Sequence, residues 1–300
     1  MFRNLPAFLV LLIAGQSFAQ GYKADFDKVL EENDTAAQRQ VLYKWQQTSP
    51  KDAELFIARF NYYFLASRKE IVQLTAAADK SSAFEVKDSA GAETVGYLGD
   101  HLEYDNALLK KAFKSIDSGI STWPARLDMR FGKIYALGQL ENYEAFTKEI
   151  INTIEVANKL KNNWRWTAQQ KLDDPEKFML GNIQSYVVQL YNVGDDQLTR
   201  MRRIAQAVLK YYPRHVESLS NLAITYGLQG NYDKALEALL KAEKIMPQDA
   251  IVLNNIATMY ERKGDRPNAI RYFELTAKHG DQNAKSEATK KLKELKNQIF

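Results

Sequence analysis

Apolar residues recur at helical spacing along most of this chain, and one arrangement of them is written twice. Leu219, Leu222, Ala223 and Tyr226 return as Leu253, Ile256, Ala257 and Tyr260, and the match runs on through Gly230 and Gly264, Ala235 and Ala269, and Leu239 and Phe273. Each copy lines apolar groups along one helical face, breaks at a glycine and starts again, the pattern of a helix, a tight turn and a second helix. Upstream the pattern is looser. Phe26, Val29 and Leu30 predict one helix, and Val41, Leu42 and Trp45 a second that starts near Asp34-Thr35 and is stopped by Pro50. Asp52 to Ser67 reads as a strongly apolar helix, with Leu55, Ala58 and Tyr62 on one side. His101 to Thr122 carries Leu108, Leu109, Phe113, Ile116 and Ile120, with Pro124 after its end. Leu127 to Tyr135 and Tyr143 to about Leu160 predict the next pair, and Phe178 to Tyr191 with Gln197 to Tyr212 the one after, closed by Pro213.

The helical period fails in two places. Between Ala78 and Gly99 it becomes an alternation, Phe84 and Val86 on one arm and Val95 and Tyr97 on the other, around Asp88-Ser89-Ala90-Gly91. That predicts a β-hairpin near 84–97, either a functional loop or a cover for an exposed edge. Asn162 to Asp174 reads as a loop holding Trp164-Arg165-Trp166, ended by the helix start Asp174-Pro175-Glu176. Exposed, Trp164 and Trp166 would form a binding anchor; folded back, they would plug a seam between helices. Gln282 to Ile299 places Ala288, Leu292, Leu295 and Ile299 on one stripe among lysines, as expected of a helix closing an array or, as a rival reading, lying on a membrane surface.

The paired stretch at 216–280 resembles the tetratricopeptide repeat, whose period of about 34 residues carries this large, large, small, Tyr, Gly, Ala, aromatic order. The resemblance implies an all-α, helix-turn-helix repeat solenoid. The expected divisions are 20–77 (N-terminal helices with a degenerate repeat), 78–99 (hairpin insertion), 100–161 (degenerate repeat-like helices), 162–174 (loop), 175–215 (degenerate repeat), 216–281 (two clear repeats) and 282–300 (capping helix). It implies further that the first helices line a concave groove whose free positions bind a protein or peptide. In the first copy these positions are Glu217, Ser220, Asn221, Ile224 and Leu228; in the second they are Ile251, Asn254, Asn255, Thr258, Glu261 and Arg262. Asn221 and Asn255 correspond, and such amides suit either a peptide backbone or a hydrogen bond between helices. The lysines and arginines with which some relatives clamp a terminal carboxylate are mostly replaced here by amide, hydroxyl and acid.

Composition narrows the address and the chemistry. Arg3, the apolar Leu9 to Ile13 and Ser17-Phe18-Ala19 make residues 1–19 read as a signal peptide, so export is expected, most simply to a bacterial periplasm, since the chain has no cysteine to bridge. The apolar stretch is short of the ~20 residues a spanning helix needs. A net charge of +4 from 41 basic and 37 acidic residues is too balanced for a nucleic-acid surface. The three histidines, His101, His215 and His279, stand alone, with no metal spacing, no nucleophile turn and no phosphate loop. The expectation is therefore a non-catalytic scaffold without cofactor. A ligand-binding or enzymatic module made by the hairpin and the Trp-Arg-Trp loop is the second reading, and a membrane-peripheral assembly factor held by the C-terminal helix the third.

Overall fold

In the computed structural model, residues 21–78 and 82–297 are described. The segment expected to be a signal peptide, 1–19, lies outside them. The chain divides into two compact units, one of described residues up to Ala136 with Arg165–Lys171, the other Leu137–Trp164 with Leu172 onward.

The first unit opens with α1 (21–31), α2 (Thr35–Thr48) and α3 (Ala53–Ser67). Phe26, Leu42, Trp45, Leu55 and Ala58 close over one another as their core. Asp52 has two tasks here. One carboxylate oxygen caps α3 by accepting from the Glu54 amide at 3.1 Å, and the other accepts from the buried Trp45 indole at 2.9 Å. The indole donor is thus satisfied where water cannot reach it.

The predicted hairpin is present as part of a larger sheet. Strands β1 (Arg68–Thr75), β2 (Ser82–Lys87) and β3 (Thr94–Tyr104) form an antiparallel sheet of order β1-β3-β2. Residues 68–75, expected to belong to the N-terminal helices, are a strand, and the helix expected from His101 begins only at α4 (Asn106–Thr122). The start of α4 is set by Asp105, whose carboxylate accepts from the amides of Ala107 and Leu108. Strand β1 exists because β3 pairs with it from Arg68 opposite Tyr104 to Thr75 opposite Tyr97, a partnership too distant in sequence to show in a local period. Helix α4 packs closely on α3. A Cβ at Gly119 would sit 2.8 Å from Phe56 Cβ, so only glycine permits the approach.

A buried ion cluster holds the end of this unit. Arg126 is 1% exposed, and its guanidinium reaches Glu54 at 2.8 Å and Asp128 at 2.6 Å. The same carboxylates accept from the Ala168 amide and the Thr167 hydroxyl. The Arg165 backbone pairs with the carbonyl of Ala125 and the amide of Leu127. Burial opposes the guanidinium charge, but Asp128 and then Glu54 outweigh it and raise its pKa.

Helix α5 (Leu127–Gln139) runs across the division of the chain into units. The second unit continues with α6 (Tyr143–Leu160), α7 (Pro175–Val193), α8 (Leu198–Tyr211), α9 (Val216–Gly227), α10 (Tyr232–Ile245), α11 (Ala250–Lys263), α12 (Arg266–His279) and α13 (Gln282–Asn297). Asn or Asp side chains cap α6, α7, α10, α11 and α12. Gly230 and Gly264, the repeated glycines, take φ of 76° and 83°, which lets each first helix turn into its second. Leu219, Ala223, Ala235 and Leu239 share one core with Leu253, Ile256, Ala257, Ala269 and Phe273. Helix α13 joins that core through Ala288 and Leu295, while Lys291 pairs with Glu261 and Lys296 with Glu274. Ala288 and Leu295 of its apolar stripe therefore face protein rather than a membrane surface, and Ile299 lies outside the described residues.

Arg126→Met is expected to cost about 3 kcal/mol or more in urea unfolding, because it leaves two carboxylates buried without their cation. Replacing all three charges, Arg126→Met with Glu54→Gln and Asp128→Asn, should recover much of that loss.

Candidate recognition face

Helices α7, α9 and α11 are the first members of successive pairs and lie side by side. On α9 the positions Glu217, Asn221, Ile224 and Leu228 follow one stripe, and on α11 Ile251, Asn255, Thr258 and Arg262 do the same one repeat later. The structure separates these into two sets. Ile251 is 72% exposed, and Leu228, Glu217 and Arg262 are exposed as well. Ile224, Asn254, Asn255, Thr258 and Glu261 are half-buried.

Asn221 and Ser220, expected on the free face, are buried, Asn221 with only 6% exposure. The Asn221 amide donates to Gln184 Oε1 at 2.6 Å and its carbonyl accepts from Gln184 Nε2 at 3.4 Å, a two-way bond that fastens α9 to α7. Of the two roles open to this amide, packing takes Asn221. Its counterpart Asn255 makes no side-chain hydrogen bond among the described residues. Thr258 donates back to the Asn254 carbonyl, and Glu261 accepts from Lys291, so neither side chain is wholly free.

Gln184 also locates side chains that sequence reasoning did not assign to the face. Val188 and Tyr191 follow it at i+4 and i+7, and both are exposed. The spacing was visible, but without the Gln184–Asn221 contact nothing said which side of α7 meets α9. Across three helices the open positions are thus Val188 and Tyr191, Leu228, and Ile251, with Glu217 near one end and Arg262 near the other. This is a mostly apolar surface with few fixed charges.

Trp164 and Trp166 do not form the exposed pair that a binding anchor would need. Trp164 is 1% exposed, and Trp166 is half-buried with its ring edge-on to Phe131 at 6.2 Å between centroids. A cavity of about 200 Å³ beside this segment is lined by Phe26, Leu30, Glu54, Ile57, Asp128 and Thr167 among others, and the sheet contributes no residue to it. The hairpin and the loop therefore do not combine around that cavity.

One grouping has the atoms of a catalytic relay. His215 Nδ1 lies 2.9 Å from Ser218 Oγ, and His215 Nε2 lies 3.3 Å from Glu217 Oε2. All three sit in the first turn of α9, and Ser218 is buried, so its oxygen has no room for a substrate. Burial lowers the His215 pKa, and the carboxylates of Glu217 and Glu176 oppose that shift only in part. No group of His, Asp and Glu able to hold a metal ion occurs among the described residues.

Family models of the tetratricopeptide repeat match residues 216–249 and 252–285. No curated protein sequence matches the chain. Among solved structures, it is similar to PilW, described as a widely conserved type IV pilus biogenesis factor, at 11% identity, 90% of this chain, 97% of that one and a TM-score of 0.38. It is similar to YrrB, described as a TPR protein with an unusual peptide-binding site, at 16% identity, 83% and 97% coverage and a TM-score of 0.37. A MamA chain from Desulfovibrio magneticus RS-1 is 16% identical over 56% of this chain and 84% of its own, with a TM-score of 0.33.

Two outcomes follow from the geometry of the face. Asn221→Ala should lower stability by about 1–3 kcal/mol, since it strands the Gln184 amide, and a double-mutant cycle with Gln184→Ala should show coupling. Because the folded His215 pKa lies below its ordinary 6.5, the unfolded chain takes up this proton first. Stability should then fall as pH drops from about 6.5 toward the lowered folded value, and His215→Gln should flatten the acid limb of a melting-temperature profile over that window.

Proposed function

We propose that this chain, whose residues 216–249 and 252–285 match the tetratricopeptide repeat, is a repeat protein of that kind and an exported, non-catalytic scaffold that holds a protein or peptide on the face of α7, α9 and α11. The observation that carries the reading is Ile251, a large apolar side chain 72% exposed on a well-packed helix, with Leu228, Val188 and Tyr191 exposed toward the C-terminal ends of α9 and α7. An array of helix pairs spends one side of each helix on stacking and keeps an extended surface for recognition. The partner fits this surface by laying apolar side chains against Leu228 and Ile251, with polar groups meeting Glu217 and Arg262 at the ends. Asn255 and Thr258 offer donors and acceptors between.

Arg3, Leu9 to Ile13 and Ser17-Phe18-Ala19 support export, and the absence of cysteine is in keeping with a periplasmic destination. No helix among the described residues is long and apolar enough to cross a membrane. The burial of Ser218, which leaves the grouping at His215 no room for a substrate, supports a role without chemistry of its own.

The test is site-specific photocrosslinking in the exported fraction of the native cell. A benzophenone side chain at Ile251 or Leu228 should label a discrete partner, while the same group at Lys241, on α10, should not. Equal labelling from all three positions, or none from any, would sink the proposal. Ile251→Asp should abolish the labelling from Val188 and leave the melting temperature nearly unchanged, since that side chain is already 72% exposed.

A further inference from the structure

The three-stranded sheet of the first unit serves no repeat, and its two edges are built differently. Strand β2 is interrupted twice against β3, once between Ser82 and Phe84 and again between Val86 and Lys87. Such irregularities spoil an edge for further pairing. Strand β1 has none. It pairs with β3 in unbroken register over eight residues, Arg68 to Thr75, contains no proline, and is exposed along most of its length. Among the described residues no strand pairs with its outer side. In an antiparallel strand every second residue turns its N–H and C=O away from the neighbour, so this side offers a row of backbone donors and acceptors.

One face of the sheet is apolar. The register places Leu74, Leu98 and Phe84 in one row across three strands, with Val72 and Leu102 on the same side and Val86 opposite Gly96. A Cβ on Gly96 would meet the Leu74 side chain at 3.1 Å, which confirms that Leu74 lies over β3 on this side. Phe84, Val72 and Leu74 are 69%, 66% and 54% exposed, more than isolated surface residues would require. The charges on the same side are Arg68, which neighbours Tyr104, Lys87 at the far end of β2 opposite Thr94, and Glu70 and Asp100, and neither carboxylate has an ion-pair partner among the described residues.

We propose that the outer edge of β1 receives an extended segment of a partner protein as a fourth strand, with its apolar side chains alternating over Val72 and Leu74 and a lysine or arginine opposite Glu70. The unpaired backbone row requires an extended occupant, because a helix has no backbone groups left to give. Glu70, on the strand next to the added one, selects a cation on it. Antiparallel addition continues the pattern of the sheet and is the stronger pairing per residue. A second copy of this chain, paired β1 to β1, is the rival occupant, and self-association measures it. The surface belongs to a different unit from the face of α7, α9 and α11, and the two can be tested apart.

The experiment uses the whole chain and a labelled peptide in which valine alternates with threonine and one valine is replaced by lysine. Binding should be saturable, and hydrogen exchange should slow within residues 68–75. Methylating alternate backbone nitrogens of the peptide should abolish binding. Glu70→Lys should weaken binding by about fivefold or more, as attraction becomes repulsion, and a peptide with glutamate in place of lysine should restore it. Glu70 is exposed, so the variant should fold as the parent does, and the charge exchange controls for any that does not. The proposal is overturned if the lysine peptide fails to bind at millimolar concentration, if the N-methylated peptide binds equally well, or if protection appears away from β1. Concentration-dependent self-association abolished by Glu70→Lys would give the edge to a second copy, and overturn it too.

Discussion

A pair of helices the length of α9 and α10 cannot cover its own apolar side, and most of the second unit follows from that constraint. The uncovered surface has to be met by the next pair, and close approach decides how well. A Cβ on Gly227 would sit 2.5 Å from the Met259 sulfur, so the bare backbone at the end of α9 is what gives the Met259 side chain of α11 its place. Ala223, Ala235, Ala242, Ala257 and Ala269, all fully buried, do the same along the seam. Small residues set the spacing and large ones fill it. The stack then needs an end, which α13 supplies by burying Ala288 and Leu295 and turning its lysines outward to Glu261 and Glu274.

The first unit solves a similar problem with charge. Arg126 is held between Glu54 from α3 and Asp128 from α5, and the same carboxylates fix the backbone and hydroxyl groups of the 167–168 segment. A buried cation is costly unless every neighbour answers it, so the cluster makes one arrangement of these three segments much better than its alternatives. It also explains why Trp166 lies against Phe131 rather than in solvent: the neighbouring backbone is already paired at Arg165.

The two proposed recognition surfaces follow from these two solutions. Stacking consumes one side of each first helix and leaves Val188, Tyr191, Leu228 and Ile251 open, a side-chain surface whose selectivity lies in shape and in the few polar groups among them. The sheet leaves a backbone edge, where hydrogen bonds supply affinity for any extended chain and side chains such as Glu70 choose among them. Neither surface resembles a catalytic pocket. The triad-like grouping at His215 is the first turn of a helix with its serine inside.

The repeated order of Leu219 to Phe273 determined by itself that the C-terminal region would be stacked helix pairs, because the 3.6-residue period, the turn glycines and the small residues act locally and leave a direct mark on the chain. The caps at Asp34, Asp52, Asp174 and Asn231 are marks of the same kind. What the chain alone left open was every property needing a distant partner. Asn221 faces Gln184 rather than a ligand, Trp164 is buried, and Arg68 to Thr75 is a strand. Each of these depends on residues some thirty or more places away, or on a neighbouring segment, and the same side chains in isolation would suit the other role equally well. A local period tells which side of a helix is apolar; only the packed structure decides which part of that side is used up in holding the fold together and which part remains to be recognised.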